Sequence, residues 1–338
     1  MPRIRVTPEE FAVDEVPLYA PSGTGGHTFV RVEKRDATTE QVAAALARAA
    51  GVTAGEVGYA GRKDRRAVAR QWLSVPGLDP ERALALELPD ARVLEAARHP
   101  HKLRTGQLRA NAFAIAVRGV DAAAAARARE RLAELERLGL PNRFGVQRFG
   151  REGDNAERGR ALLEGRLRVR DRRAARFLVS ALQAAVFNEV LARRPLALDR
   201  VEAGDVAQVV ASGGLFVVED EAREAPRAAA FEISATGPIF GSGRQREPAG
   251  APAARERAAL EACGVAAWRS PRGLQVRGTR RPLRVPVRGA VAEYAGDALR
   301  LRFELPPGSY ATVLVEELVG AVEEGGGPDD AGAGGGLP

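Results

Sequence analysis

A chain of 338 residues can bury a sizeable core and is long enough for more than one compact unit. Its 45% hydrophobic and 28% charged content is ordinary for a globular protein, and its single cysteine, Cys263, excludes an intramolecular disulfide and a thiolate metal cage. A net charge of +7 points to a polyanionic partner without choosing among RNA, DNA and an acidic membrane surface.

The cations are unevenly divided. Lysine occurs only at Lys34, Lys63 and Lys102, so 48 of the 51 basic residues are arginine. With abundant alanine and glycine this reads as a GC-rich coding bias, against which each remaining lysine stands out. No signal peptide and no apolar run of about 18 residues is visible, so no membrane span is expected and the chain is assigned to the cytoplasm.

The opening RIRVTPEEFAVDEVP reads as short strands with a turn at Pro8, and HTFVRVEKR (27–35) alternates as a half-buried strand. Thr38 begins a T-x-x-Q capping box for a helix over 38–51, with Val42, Leu46 and Ala49 on one face and Gly51 at its end. EVGYAG (56–61) is a short strand entering a glycine turn, so the basic run after it lies at a strand-to-loop exit. Further strands are expected at 71–76, 92–98 and 110–118, and helices at 121–139, 154–164 and 172–193, with a polar loop at 141–150. Residues 200–280 are less regular: short apolar pieces (VAQVV, GLFVV), a Gly/Pro-rich segment TGPIFGSGRQREPAGAP, and a helix near 252–263. Two strands follow within 284–304 around Gly296-Asp297, then a final helix after PPGSY with Ser309 as its cap. The glycine-rich tail is expected to be disordered. Blocks of strands and helices indicate an α+β class.

Several chemistries are absent. No lysine is followed by Ser or Thr, which rules out a P-loop, and there is no G-x-S-x-G, strand-linked G-x-G-x-x-G, H-E-x-x-H or D-x-D-x-D pattern. His99 and His101 are close enough to bind a metal weakly, or to be exposed or phosphate-contacting side chains.

Three stretches remain. GYAGRKDRRAVARQW (58–72) holds one acid, Asp64, among Arg62, Lys63, Arg65, Arg66 and Arg70. It reads either as a solvated charged turn or as an anion-binding strip carrying one reactive carboxylate. Cations within about 4–6 Å would keep that carboxylate ionised, which suits attack on carbon or stabilisation of a cationic sugar better than taking a proton from water. NRFGVQRFG (142–150) repeats the triplet RFG. Arg143 and Arg148 offer phosphate or base contacts and Phe144 a stacking face, while Asn142 either reads a base edge or simply shapes a turn. Core roles compete for both phenylalanines. PPGSYATVLVEEL (306–318) opens a helix at Gly308-Ser309, with Tyr310 at the mouth of any anion site there.

Together these stretches resemble the TruD family of tRNA pseudouridine synthases. GYAGRKDRRAVARQW is similar to that family's Lys-Asp signature and PNRFGVQRFG to its N-x-F-x-x-Q-R-F-G signature. TPEEFAVDEV, ARHPHKLRTGQLRANAF, FNEVLARR, QRE and PPGSYAT match in order along the chain. The resemblance implies isomerisation of uridine 13 of tRNA to pseudouridine, with Asp64 catalytic. Asn142, Phe144 and Tyr310 would shape the uridine pocket, while Arg62, Lys63, Arg66 and Arg148 are assigned to RNA contacts, Lys63 alternatively to a structural one. It implies a pseudouridine-synthase catalytic domain with a mixed, largely antiparallel sheet over 1–167 and 285–323, interrupted by a TruD-specific α/β insert over 168–284, with a tail over 324–338. No metal or redox cofactor is needed, because the reaction conserves every atom of the uridine. The expected partner is tRNA, not a membrane, with a monomer favoured. A non-catalytic RNA-binding protein is the alternative.

Overall fold

A side-chain box and a glycine fix the two ends of the first helix. In a computed structural model describing residues 1–150, 152–243, 245–269, 273–274 and 276–325, helix Thr39–Ala50 is closed at its start by Thr38 and Gln41. Each side chain bonds the other's backbone N–H, as the capping box requires. Gly51 ends the helix in the left-handed region, with φ of 71°.

Contacts divide the chain into two units, Met1–Ala133 with Val287 onward, and Glu134–Pro286. The first is built on an eleven-stranded sheet. Its main path runs Arg288–Ala295, Ala298–Leu305, Leu108–Arg118, Phe11–Pro17, Val68–Pro76, His27–Arg35, Ala91–His99 and Glu87–Leu88. Neighbours on this path are antiparallel except Phe11–Pro17 with Val68–Pro76, so the sheet is mixed and largely antiparallel. Period-two alternation sorts its two faces. Val30, Val32, Leu73 and Val75 pack under Val42 and Leu46 of the first helix, while Phe29, Trp72 and Leu108 form a separate cluster.

At the sheet's margin, Arg3–Ile4 pairs with Leu108–Arg118 and, in parallel, with Glu323–Glu324. The tail is expected from residue 324, but Glu324 is a strand residue pairing with Ile4; residues 326–338 lie outside the described residues.

The second unit packs helix Arg172–Ala192 on a four-stranded antiparallel sheet, Leu215–Val217, Val206–Val209, Ile233–Ile239 and Thr279–Pro282. One side of that helix sends Phe187 among Ile233, Ala235 and Leu283. Another sends Leu182, Val186 and Val190 against Ala259 and Leu260 of helix Gly250–Ala262. A helix packed on several sides is apolar on several sides, and this one is long and apolar enough to cross a membrane by length and composition. The expectation of no such run is corrected: the run exists, and most of it is buried within this unit.

Three further differences have physical causes. TGPI, read as part of a loop-like Gly/Pro segment, continues strand Ile233–Ile239. There Gly237 leaves room for Phe187, whose ring would lie 3.0 Å from an added Cβ. Helix Glu221–Ala229 escaped notice because Pro226 lies inside it and reads as a breaker. The contacts also place 134–167 in the second unit rather than upstream of an insert at 168. Helix Asn155–Leu163 lies directly on Arg172–Ala192, with Gly159 against the Leu178 carbonyl.

Gly159→Ala is expected to destabilise the chain by about 1–3 kcal/mol, because its Cβ would sit 2.2 Å from the Leu178 carbonyl oxygen and backbone yields poorly. Gly55→Ala, with open space around it, should leave the urea midpoint nearly unchanged.

Candidate active site

Residues 61–67 form an irregular loop between Gly58–Tyr59 and Val68–Pro76, and Asp64 sits on it with its side chain 49% exposed. Buried charges hold this loop from below. Lys63 points into the unit, where its Nζ meets Glu15 Oε2 at 2.5 Å with both side chains almost wholly buried. Glu15 Oε1 accepts from the Trp72 backbone N–H at 3.2 Å, so the carboxylate is bonded on both oxygens. The Lys63 backbone N–H donates to Thr39 Oγ1, which donates to Gln71 Oε1. Lys34, fully buried near the end of His27–Arg35, donates to the Asp64 carbonyl oxygen at 2.5 Å.

The cation on the Asp64 carboxylate is Arg5, whose Nη2 bonds Asp64 Oδ2. Arg5 is buried and also bonds Glu324 Oε1 at 2.9 Å, while its guanidinium lies 4.0 Å from the centre of the Phe11 ring. Its backbone is left-handed, with φ of 56°, a conformation that costs a non-glycine residue about 1–2 kcal/mol and that these three contacts offset. Nothing near Asp64 in the sequence signals Arg5, which lies 59 residues upstream.

The cations beside Asp64 in the sequence have partners of their own. Arg62 pairs with Glu40 at 2.6 Å, Arg65 approaches Asp36 at 4.0 Å, and Arg70 bridges Asp14 and Glu33 at 2.9 and 2.8 Å. Arg66 is half-buried. Lys63 makes the structural contact, and its buried ammonium is not open to a phosphate. Lys34, which the coding bias alone singled out, belongs to the site.

Sheet register brings the third stretch near. Leu305, Asn111 and Glu15 pair in one row across adjacent strands, so PPGSY leaves the sheet about 10 Å from the Glu15–Lys63 pair, at roughly 4.8 Å per strand. Helix Ala311–Val319 has Tyr310, not Ser309, at its N-cap, and no side chain caps it. Tyr310 is half-buried.

In the second unit, the NRFGVQRFG loop is tied down by amides. Asn142 Nδ2 donates to the Pro282 carbonyl at 2.9 Å and Asn142 Oδ1 accepts from Arg281, so this side chain clamps the loop to Thr279–Pro282. Asn188 of helix Arg172–Ala192 brackets Phe144, accepting from its N–H at 2.8 Å and donating to its carbonyl at 3.0 Å. Phe144 is half-buried, edge-on to Phe187 at 5.6 Å, with the Arg281 guanidinium 4.3 Å from its ring centre. Arg148 is buried between Phe144 and Phe177, at 5.5 and 5.9 Å, and is not exposed to a phosphate. Asn188 and Arg281 were not anticipated; FNEVLARR contains the first but carries no mark of its role.

Among the described residues, no group of three or more His, Cys, Asp or Glu side chains is placed to hold a metal ion. His99 packs against Tyr19 and Phe29, with ring centroids 5.2 and 4.3 Å away, and His101 lies edge-on to it at 6.2 Å. Burial lowers the pKa of His99.

The family described as tRNA pseudouridine synthase D (TruD) matches residues 2–169 and 163–318 of this chain. The tRNA pseudouridine synthase D of Geobacter metallireducens is 40% identical, over 96% of both chains. That of Anaeromyxobacter sp. (strain Fw109-5) is 48% identical, over 95% of this chain and 93% of its own. The crystal structure of TruD from Methanosarcina mazei shares the fold with a TM-score of 0.76 at 23% identity, covering 94% of this chain and 93% of that one.

Removing one partner of the buried pair leaves the other charge uncompensated. Lys63→Met or Glu15→Gln alone should cost about 3–5 kcal/mol in denaturant unfolding, and the double variant less than the sum. Burial pushes the Lys34 ammonium down to about 8, against attraction from Asp64, Asp36 and Glu40 and with repulsion from Lys63 adding to the fall. The folded chain thus releases this proton before the unfolded chain does, and between pH 8 and the ordinary lysine value of 10.5 the unfolded state holds more protons. Stability should rise with pH across that window, with the full cost of the charged ammonium present below it, and Lys34→Met should flatten the rise in melts at stepped pH.

Proposed function

The chain belongs to the TruD family of tRNA pseudouridine synthases, and we propose that it isomerises uridine 13 of tRNA to pseudouridine with Asp64 as its catalytic residue. The observation that carries this reading is a half-open carboxylate on a loop held by two buried lysines, with one oxygen taken by Arg5. Such a group is oriented before substrate arrives, and pre-organised charge is where electrostatic catalysis gains most.

The reaction breaks the N1–C1′ bond of uridine, turns the base and joins C5 to C1′. The C5 proton is lost and N1 gains one, so atoms and electrons balance within the nucleoside and water. With Oδ2 on Arg5, Oδ1 of Asp64 is the atom that meets the ribose or the base. It can attack C1′, attack C6, or take a sugar proton in an elimination route. Arg5 holds the carboxylate aimed in each case.

The target base must leave its stack, at a cost of a few kcal/mol, and one aromatic contact worth about 1–3 kcal/mol offsets much of it. Phe144 is the aromatic assigned to that contact, with Arg281 lying over its ring as a second planar group for a base. Asn142 acts by fixing the loop that carries Phe144. Tyr310, above the open start of its helix, contributes its ring. A tRNA substrate carries with it a cytoplasmic site of action, and no further subunit enters this reading.

Asp64→Asn keeps the shape of the side chain and removes its charge. It is expected to bind tRNA with nearly unchanged affinity while pseudouridine formation falls at least about 10³-fold, roughly 4 kcal/mol of transition-state stabilisation. The check is mapping of pseudouridine in tRNA incubated with pure protein and variant. An unchanged rate would sink the assignment of Asp64. If the unaltered protein binds tRNA and forms no pseudouridine, a non-catalytic RNA-binding role takes its place.

A further inference from the structure

Residues 166–176, RLRVRDRRAAR, hold six arginines and one aspartate, a net charge of +5 in a chain whose total is +7. All six arginines are exposed. The alternation has a structural reason. Val169 packs with the cluster around Ala175, Val179 and Leu274, and Leu167 is half-buried, so Arg166, Arg168 and Arg170 face outward. Helix Arg172–Ala192 then begins, with Arg172, Arg173 and Arg176 exposed on its first turns.

This strip is set apart by its density of exposed arginine with little counter-charge, six arginines and one acid in eleven residues. Elsewhere several exposed or half-exposed arginines have acids against them: Arg31 with Glu95, Arg35 with Glu9, Arg62 with Glu40, Arg92 with Glu33, Arg118 with Glu10, Arg193 with Glu189; others that are exposed, such as Arg48, Arg104, Arg127 and Arg137, are scattered along the sequence. Within the strip Arg166 has Glu164 at 2.6 Å. Among the described residues, Arg168, Arg170, Arg172, Arg173 and Arg176 form no ion pair. Asp171 is occupied in part by the helix start, accepting from the Arg173 N–H at 2.8 Å.

The arrangement also opposes local stability. Helix N-termini favour acids, yet this helix has no acid in its first turn and two arginines instead. Arg172 and Arg176 repel at i,i+4, and Arg173 and Arg176 at i,i+3. A fold that carries such repulsion unrelieved is arranged for an anion supplied from outside. A membrane surface would also call for apolar anchors among the cations, and none of the exposed large hydrophobic side chains lies in 166–176.

We propose that residues 166–176 are a phosphate-binding strip for the sugar–phosphate backbone of the RNA substrate. This rests on tRNA being that substrate. The strip carries no exposed aromatic group, so it contacts phosphate without reading sequence. It contributes affinity, and the chemistry stays with Asp64.

The test is the variant Arg168→Ala/Arg170→Ala/Arg172→Ala in the full chain, with tRNA affinity measured across a salt series. The expected result is a Kd raised at least about tenfold near 0.1 M salt, and a log K against log salt slope shallower by about 2 to 3. The kinetic loss should fall on KM. The melting temperature should stay level or rise, since repulsion is relieved, which separates the proposal from a structural role for these arginines. Unchanged affinity and slope would overturn it and make the strip a solvated face. Loss of binding to vesicles rich in anionic lipid, with tRNA binding intact, would overturn it in favour of a membrane. If the unaltered chain forms no pseudouridine while the variant still loses tRNA affinity and salt slope, the strip stands and the catalytic reading falls. An active chain whose variant binds like it has the opposite meaning.

Discussion

Two buried ammonium groups decide where Asp64 is. Lys63 reaches down to Glu15 and Lys34 reaches across to the Asp64 carbonyl, so the residue before the carboxylate and the residue that bears it are both fixed to the sheet. Buried charge is costly to desolvate and is tolerated only where each donor and acceptor is met. Glu15 meets that condition, with Lys63 on one oxygen and the Trp72 N–H on the other. Lysine suits this role where arginine does not. Its ammonium is a compact point charge on a thin stem, whereas a guanidinium is a broad planar fork. In a chain that uses arginine at 48 of 51 basic positions, two of the three lysines are found under one loop.

The same logic recurs with neutral groups in the second unit. There the loop bearing Phe144 is held by amides that close on backbone, Asn142 on the strand Thr279–Pro282 and Asn188 on both sides of the Phe144 peptide. In both units the groups that orient are buried or half-buried and hydrogen-bonded, and the group assigned to substrate is left half-open. Arg5 is the exception in kind. It is buried, yet its guanidinium serves an exposed carboxylate, a strand-end glutamate and an aromatic face at once, from a strained backbone.

Charge is divided between tasks. On the first unit's sheet Arg31, Arg70 and Arg92 meet acids on neighbouring strands, which helps hold those strands in register. The excess is concentrated in the short run before and into helix Arg172–Ala192.

Much of this was legible from the residues alone, because local rules govern it. Thr38 with Gln41, and Gly51, bound the first helix; alternation marked His27–Arg35; a lone carboxylate among cations marked Asp64. What the chain order could not carry was any partner set by a long crossing. Arg5 meets Asp64 across 59 positions, Lys63 meets Glu15 across 48, and Arg281 meets Asn142 across 139. Composition likewise misread TGPI and Pro226, since their neighbours in space, not in sequence, make a strand of one and a helix of the other. The amino-acid order determined which groups exist and where the short-range elements start and stop. Tertiary structure alone decided which cation sits on the carboxylate, because hydrogen-bond partners are chosen by distances that folding creates.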